Sequence, residues 1–223
     1  LKNILKIMDN KRHLKKFENQ NAYDTQKDEL MGIPHVVLFE DTKKLVYASK
    51  DPFNGHEYVD LGLPSGTLWA TCNVGAESEE DFGLYFAWGS VEGATKEQIE
   101  SGELTFGTDG NMVKYMDTTT ETFTKYNSED GKTVLDLEDD AAHVNMGGDW
   151  HMPTPEQLDE LLGNTTYTWT TKNGIDGVLF TASNGNSLFV PIAGGAMYGG
   201  VTAIGYFCFV WSSSVYEDSR EGA

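Results

Sequence analysis

Cysteine is scarce in this 223-residue chain, positive charge is scarce beyond residue 50, and no run of 18 apolar residues occurs. Each shortage closes a class of protein. Without a long apolar run, no helix here spans a bilayer, so membrane insertion is not expected. Two cysteines, Cys72 and Cys208, are too few for a disulfide-dense scaffold and form no Cys-x-x-Cys pair; one bridge and two free core thiols both remain open. Residues 1–50 hold 10 Lys and Arg against 7 Asp and Glu, which leaves 6 against 28 in the remainder of a chain of net charge −19. A domain that acidic repels phosphate, so nucleic acid and anionic membrane surfaces are disfavoured partners of residues 51–223. The histidines (His13, His35, His56, His143, His151) show no metal-ligand spacing. Ser212-Ser213-Ser214 lacks the Gly-x-Ser-x-Gly setting of a hydrolase nucleophile, and its hydroxyls read instead as partners for backbone groups beside Trp211. The expectation is a chain with no catalytic residue, no bound metal and no cofactor. The acidic run Asp136, Glu138, Asp139 and Asp140 offers oxygens to a structural Ca²⁺, but the regular Asp-x-Asp-x-Asp-Gly spacing is absent and a solvated acidic loop is the competing reading.

What is present is organised around Gly147-Gly148-Asp149-Trp150-His151-Met152-Pro153-Thr154-Pro155-Glu156-Gln157-Leu158-Asp159-Glu160-Leu161-Leu162. It reads as a glycine turn, a short buried strand end and a fully specified helix start. Thr154 caps the N–H of Gln157 while Gln157 reaches back, and Pro155 fits the first helical position. Leu158, Leu161 and Leu162 give one narrow apolar stripe, and Gly163-Asn164 marks the expected stop.

Upstream, Leu1, Ile4, Leu5 and Met8 fall at helical spacing, a second helical piece covers Asn21 to Leu30, and 35–40 and 45–48 read as a hairpin. An isolated hairpin is marginal in water, so this one is expected to pair with a partner chain or pack on the main domain. The chain opens at Leu1 without initiator Met or leader pattern, which reads as a removed leader or a fragment. Asp51-Pro52-Phe53-Asn54-Gly55 is a turn-rich boundary. Beyond it lie short β-prone pieces (58–61, 67–74, 84–88), polar loops over 92–136 with a short helix near Thr95–Glu100, and hairpin signals at 167–181 and 184–191. The core is expected on Trp69, Phe86, Trp88, Trp150, Leu158, Leu161, Trp169 and Trp211.

Four motifs in order carry a resemblance. They are Asp60-Leu61-Gly62-Leu63-Pro64-Ser65-Gly66-Thr67-Leu68-Trp69-Ala70-Thr71-Cys72-Asn73-Val74-Gly75-Ala76, Tyr85-Phe86-Ala87-Trp88-Gly89, the central stretch, and Trp211-Ser212-Ser213-Ser214. Over residues 56–223 the chain resembles the Fibrobacter succinogenes major paralogous domain, which is similar to C-type-lectin-like and formylglycine-generating-enzyme folds. The resemblance implies an α+β domain of short twisted hairpins with one or two helices. It also implies kinship with the variable ligand-binding proteins of diversity-generating retroelements in gut Bacteroidales and their phages. Residues 17–50 resemble a short attachment segment of Bacteroidales phage structural proteins. The family pattern continues past Trp-Ser-Ser-Ser with more strand, whereas this chain stops at Ala223, which leaves closure at that end open.

Two domains are therefore expected, an attachment segment at 1–50 and a ligand-binding domain at 51–223. The segment 195–210 is glycine-rich, aromatic and free of charge, which fits a buried strand and equally a protein-binding patch. The resemblance makes it the variable surface, so the binding face is assigned to Met197, Tyr198, Val201, Thr202, Ile204, Tyr206, Phe207 and Phe209, joined by Tyr216, Glu217 and Asp218. The expected function is a non-enzymatic phage appendage, a head or tail fibre or adhesin on the virion surface. Its partners would be a host cell-surface protein or glycan, other virion proteins through residues 1–50, and further copies of itself, as a trimer in a fibre. The alternative is a secreted or surface-anchored bacterial module with a structural or adhesive role.

Overall fold

The computed structural model describes residues 53–103, 114–117, 119, 122–197 and 200–215, together with the strand Leu38–Phe39. In chain order the elements are β1 (Leu38–Phe39), β2 (Tyr58–Asp60), β3 (Leu68–Ala70), α1 (Lys96–Glu100), β4 (Met116–Asp117), β5 (Thr122–Phe123), a 3₁₀ turn (Leu137–Asp139), α2 (Ala141–Met146), α3 (Pro155–Asn164), β6 (Thr165–Lys172), β7 (Ile175–Ala182), β8 (Ser187–Pro191), β9 (Gly195–Met197) and β10 (Gly200–Thr202). The fold is α+β, with short helices and small antiparallel sheets. No helix among the described residues is long and apolar enough to cross a membrane.

The helix that the sequence specifies best is α3. Gln157 N–H donates to Thr154 Oγ1 at 3.3 Å, Thr154 N–H donates to Gln157 Oε1 at 2.9 Å, and Pro155 opens the first turn. Its end differs from expectation. Gly163 and Asn164 stay helical, and the last carbonyls are closed by side chains: Asn164 Nδ2 donates to Glu160 O and Thr165 Oγ1 to Leu161 O. Thr165 is already the first residue of β6, so no room is left for a left-handed glycine turn.

The longest sheet follows at once, in the order β6-β7-β8. Its first turn is tighter than the Asn173–Gly177 turn that the sequence suggests between strands 167–171 and 178–181: only Asn173 and Gly174 lie outside the strands, at φ 48° and 86°, and Lys172 pairs with Ile175. Two successive left-handed residues make the primed turn that matches strand twist. One face of β7 and β8 supplies Val178, Phe180, Leu188 and Val190, which pack with Leu158 and Leu161 of α3, Trp69, Cys208 and Val210.

The first family-like motif builds a separate three-stranded sheet, β1-β3-β2. Leu38 pairs with Trp69 and Phe39 with Leu68, so the upstream strand joins the main domain; residues 45–48 and both expected N-terminal helices lie outside the described residues. The loop between β2 and β3 is strapped down at both ends. Ser65 donates through N–H and Oγ to the two carboxylate oxygens of Glu160 on α3, at 2.8 and 2.6 Å. Asn184 and Asn186 of the β7–β8 turn donate to Asp60 O.

A second core cluster holds Ala70, Phe86, Trp88, Tyr126, Leu135, Ala142, Met146, Trp150 and Met152. Six of the eight expected core residues are buried, and Trp169 and Trp211 are half-buried against the two clusters. Trp88 Nε1 donates to Ser212 O while Trp211 Nε1 donates to Phe86 O, both at 3.0 Å. The Trp-Ser-Ser-Ser strap is held on its other side by Leu135 N–H to Ser213 O and Ser213 N–H to Pro153 O. Ser212 Oγ donates to Ser214 O, in line with the structural reading of these serines. Residues 92–136 are a correction in part: Tyr126 is fully buried, and β4 pairs with β5. Residues 84–88 form no regular strand: Tyr85 bridges to Ala94, Leu84 N–H donates to Val74 O and Trp88 O accepts from Lys114 N–H.

Gly177 tests the packing of the longest sheet. A Cβ there would meet the Phe189 ring at 2.2 Å. We expect Gly177→Ala to lower stability by about 1–3 kcal/mol by overpacking, measured by denaturant unfolding. An unchanged midpoint would mean that Phe189 does not lie over β7.

Candidate functional site

The candidate surface rises from the β9–β10 hairpin. Its inner side is fixed by a third cluster, in which Ala196 and Ala193 meet Tyr85, Ala94 and Ile99, with Val201 packed against it. Ile99 is brought there by α1, whose five residues are held by a second reciprocal cap between Thr95 and Gln98. Tyr85 donates its buried hydroxyl to Ala193 O at 2.9 Å, and burial pushes the phenol pKa well above its usual range.

Backbone bonds run through the turn that follows. Gly205 N–H donates to Ile192 O, Gly194 N–H to Phe207 O, and the N–H groups of Tyr206 and Phe207 both reach Ala203 O. Gly194 is left-handed at φ 70°, and a Cβ there would lie 2.0 Å from Thr202 O, so this close crossing requires glycine. Ala203 is left-handed too, at φ 58°, which few non-glycine residues adopt.

The eleven expected binding residues separate. Thr202 is exposed, Tyr206 is 53% exposed, Ile204 and Phe207 are half-buried, and Val201 is half-buried against the third cluster. Phe209 is a correction, because it is only 2% exposed between the buried Cys208 and Val210. Once Gly194 bridges to Cys208, the chain turns inward, and Cys208 and Val210 enter the first core cluster. The 195–210 segment is therefore core at both ends and surface in the middle. Of Met197 only the strand backbone is described, and Tyr198, Tyr216, Glu217 and Asp218 lie outside the described residues.

The acidic run forms a different kind of site. Asp136, Glu138 and Asp139 bring carboxylate oxygens within 4.8 Å of one another. Lys125 Nζ stands among them, 2.9 Å from Asp136, 3.5 Å from Glu138 and 2.5 Å from Asp139. Asp139, buried, also accepts from Tyr126 OH at 2.7 Å, Tyr115 OH and Lys114 Nζ at 3.1 Å. Lys125 lies over both tyrosine rings. Asp140 points elsewhere: it caps α2 through Ala142 and His143 N–H and accepts Met152 N–H at 2.8 Å. A four-acid Ca²⁺ cluster is thereby corrected, since a lysine ammonium supplies the central charge and Asp140 serves the backbone. The solvated-loop reading holds for Glu138, whose side chain is 79% exposed, and fails for Asp139 and Asp140, which are 3% and 2% exposed.

Electrostatics follow from the contacts. Burial pushes the Asp139 pKa up, but donors Lys125, Tyr115, Tyr126 and Lys114 outweigh it and hold the carboxyl far below the usual range. Asp139 and Asp136 in turn hold Lys125 charged to higher pH. Sequence reasoning missed this cluster, and its signal was the repeated Lys-Tyr pair, Lys114-Tyr115 and Lys125-Tyr126, on either side of the β4–β5 hairpin.

Both cysteines are free thiols, Cys72 half-buried and Cys208 buried, and burial raises both pKa values. This decides the open alternative against a bridge. No family model, curated protein or solved structure matches the chain.

Two outcomes follow. Tyr206→Ser should change stability by less than about 1 kcal/mol, whereas Phe209→Ala should remove about 3–5 kcal/mol; thermal unfolding of both variants separates skin from core. A depressed folded-state carboxyl gives stability that is present above the ordinary carboxylate pKa of about 3.9 and lost as pH falls below it. Asp139→Asn should therefore lower stability at pH 7 by about 2–3 kcal/mol, less than for a fully buried pair because Lys125 keeps some water. It should also flatten the acid limb of the stability–pH curve, and an acid limb identical to wild type would remove Asp139 from that role.

Proposed function

We propose that this chain is a non-enzymatic phage appendage protein, a head or tail fibre or adhesin on the virion surface. Residues 51–223 act as a C-type-lectin-like domain of the Fibrobacter succinogenes major paralogous kind. They present the 200–207 turn to a protein or glycan of the host cell surface, and residues 1–50 attach the domain to other virion proteins. The observation that carries this reading is the way the turn is held. Its path is set by backbone bonds at Ile192, Gly194, Ala203 and Phe207, while Thr202, Ile204, Tyr206 and Phe207 lie at or near the surface. A loop whose path is tied down at several backbone positions tolerates exchange of the side chains between them, which a variable recognition surface requires. Exposed and half-exposed aromatic side chains are also what protein-binding patches use.

The four family-like motifs support the same reading by the work they share. The first motif is strapped to α3, the Tyr-Phe-Ala-Trp motif exchanges indole hydrogen bonds with the Trp-Ser-Ser-Ser motif, and that strap reaches Pro153 of the central stretch. All four would be needed to hold such a domain together, and none of them lies in the proposed recognition turn.

Immunogold labelling with antibody to the folded chain, applied to particles and to uninfected host cells, tests the setting. Label on particles is expected, and label confined to the bacterial envelope would replace this reading with a bacterial surface module. Adsorption of purified chain to host cells tests the surface. The Tyr206→Ser and Ile204→Ser variants should bind at least about tenfold more weakly while unfolding at the wild-type temperature. Undiminished adsorption by both would take recognition away from this turn.

A further inference from the structure

The outer edge of β6 is an unguarded strand. β7 lies along one side of β6, α3 meets its start, Glu79 binds Lys172 at its end, and no strand among the described residues pairs with its other side. The two-residue turn makes Lys172 and Ile175 a hydrogen-bonded pair, so Thr170, Thr168 and Thr166 bond to β7 and the N–H and C=O groups of Tyr167, Trp169 and Thr171 point away from it. The far side of the sheet agrees with this phase. Ile192 N–H donates to Asp176 O and Ala182 N–H to Asn186 O, while Pro191, which has no N–H, falls opposite Gly177 in a non-bonded pair.

Natural edge strands are guarded by charge, proline, bulges or brevity. From Thr165 to Thr171 the sequence is Thr-Thr-Tyr-Thr-Trp-Thr-Thr, without charge, proline or glycine and rich in strand-forming residues. It is also a charge-free strip in a domain with 6 basic residues against 28 acidic ones beyond residue 50. On the core-facing side of this edge Tyr167 is 53% exposed, and Trp169 is half-buried with an indole N–H that is buried without an acceptor.

We infer that β6 pairs with β6 of a second copy of this chain, antiparallel about a two-fold axis through Thr168, giving one continuous six-stranded sheet. The occupant follows from the strand. An antiparallel two-fold contact must be self-complementary, and the outward-bonding residues 165, 167, 169 and 171 pair with one another when the register is centred on a residue rather than between two. Centring on Thr168 uses the whole strand. It sets Tyr167 opposite Trp169 of the second copy and the reverse, two aromatic cross-strand pairs of the kind that stabilise sheets. Thr168 then faces its own symmetry mate on the outer face. The absence of charge over Thr165–Thr171 lets two acidic domains meet without direct carboxylate contact.

Light scattering and sedimentation equilibrium on the full chain over a concentration series test this. The wild type should dimerise, and added salt should strengthen the dimer by screening the two acidic bodies. Thr168→Lys and Thr168→Glu each set like charges opposite one another at the axis and should weaken the association about tenfold or more. Mixing the two variants should restore it as a heterodimer. Thr168 is exposed, so at concentrations too low for dimerisation the unfolding temperatures of both variants should match wild type. A wild type that stays monomeric, an association untouched by both variants, weakening by salt, or failure of the mixture to recover would each overturn the pairing.

Discussion

Buried carbonyls in this domain are satisfied by aromatic side chains that reach across the chain. With strands of two or three residues outside the β6–β7–β8 sheet, there is little ladder to pair the backbone of the interior, and an unpaired buried carbonyl is costly. Trp88, Trp150, Trp211 and Tyr85 fill volume and donate a hydrogen bond at the same time, to Ser212, Phe53, Phe86 and Ala193. The Trp88–Trp211 exchange is reciprocal: each indole closes a carbonyl in the segment of the other. Asp140 does the same for donors, gathering three backbone N–H groups from α2 and the approach to α3. Everything described above, including the display turn under which Tyr85 sits, stands on this substitution of side chains for regular sheet.

Local chemistry made parts of this legible. The capping box of α3 and the existence of the β6–β7 and β7–β8 hairpins are written in residues close in sequence, where propensity and geometry act alone. The tryptophan-based core was legible because large apolar rings have few other places to go. Less legible were features whose partners are distant. Asp139 looked like one of four equivalent acids, and only the fold brings Lys125, Tyr115 and Tyr126 onto it while turning Asp140 the other way. Phe209 looked like its neighbours in an aromatic run, yet the bridge from Gly194 to Cys208 decides where that run enters the core. The glycine stop of α3 was overridden because β6 begins on the next residue.

The division of labour between segments is sharp. Charge and exposure dominate residues 129–138, where only Leu135 is buried and Asp136 half-buried, while 200–207 carries no charge and displays hydroxyl, aliphatic and aromatic groups on a fixed path. An acidic body around an uncharged patch disfavours non-specific contact with anionic surfaces and leaves short-range shape as the means of selection. Under the proposed reading, such a surface would discriminate by fit rather than by long-range attraction.

The strap of residues 211–215 also sets an order in time. Trp88 waits for the carbonyl of Ser212, 124 residues later in the chain, and Leu135 and Thr133 wait for Ser213 and Val215. At a synthesis rate of about 5–20 residues per second, Trp88 emerges roughly 6–25 s before its acceptor does. During that interval the second core cluster lacks one wall, and the nascent chain holds its largest aromatic side chains without the segment that closes over them. Completion of this half of the fold thus waits on synthesis of residues 211–215, and a ribosome stalled before residue 211 would present quality-control proteases with an open core.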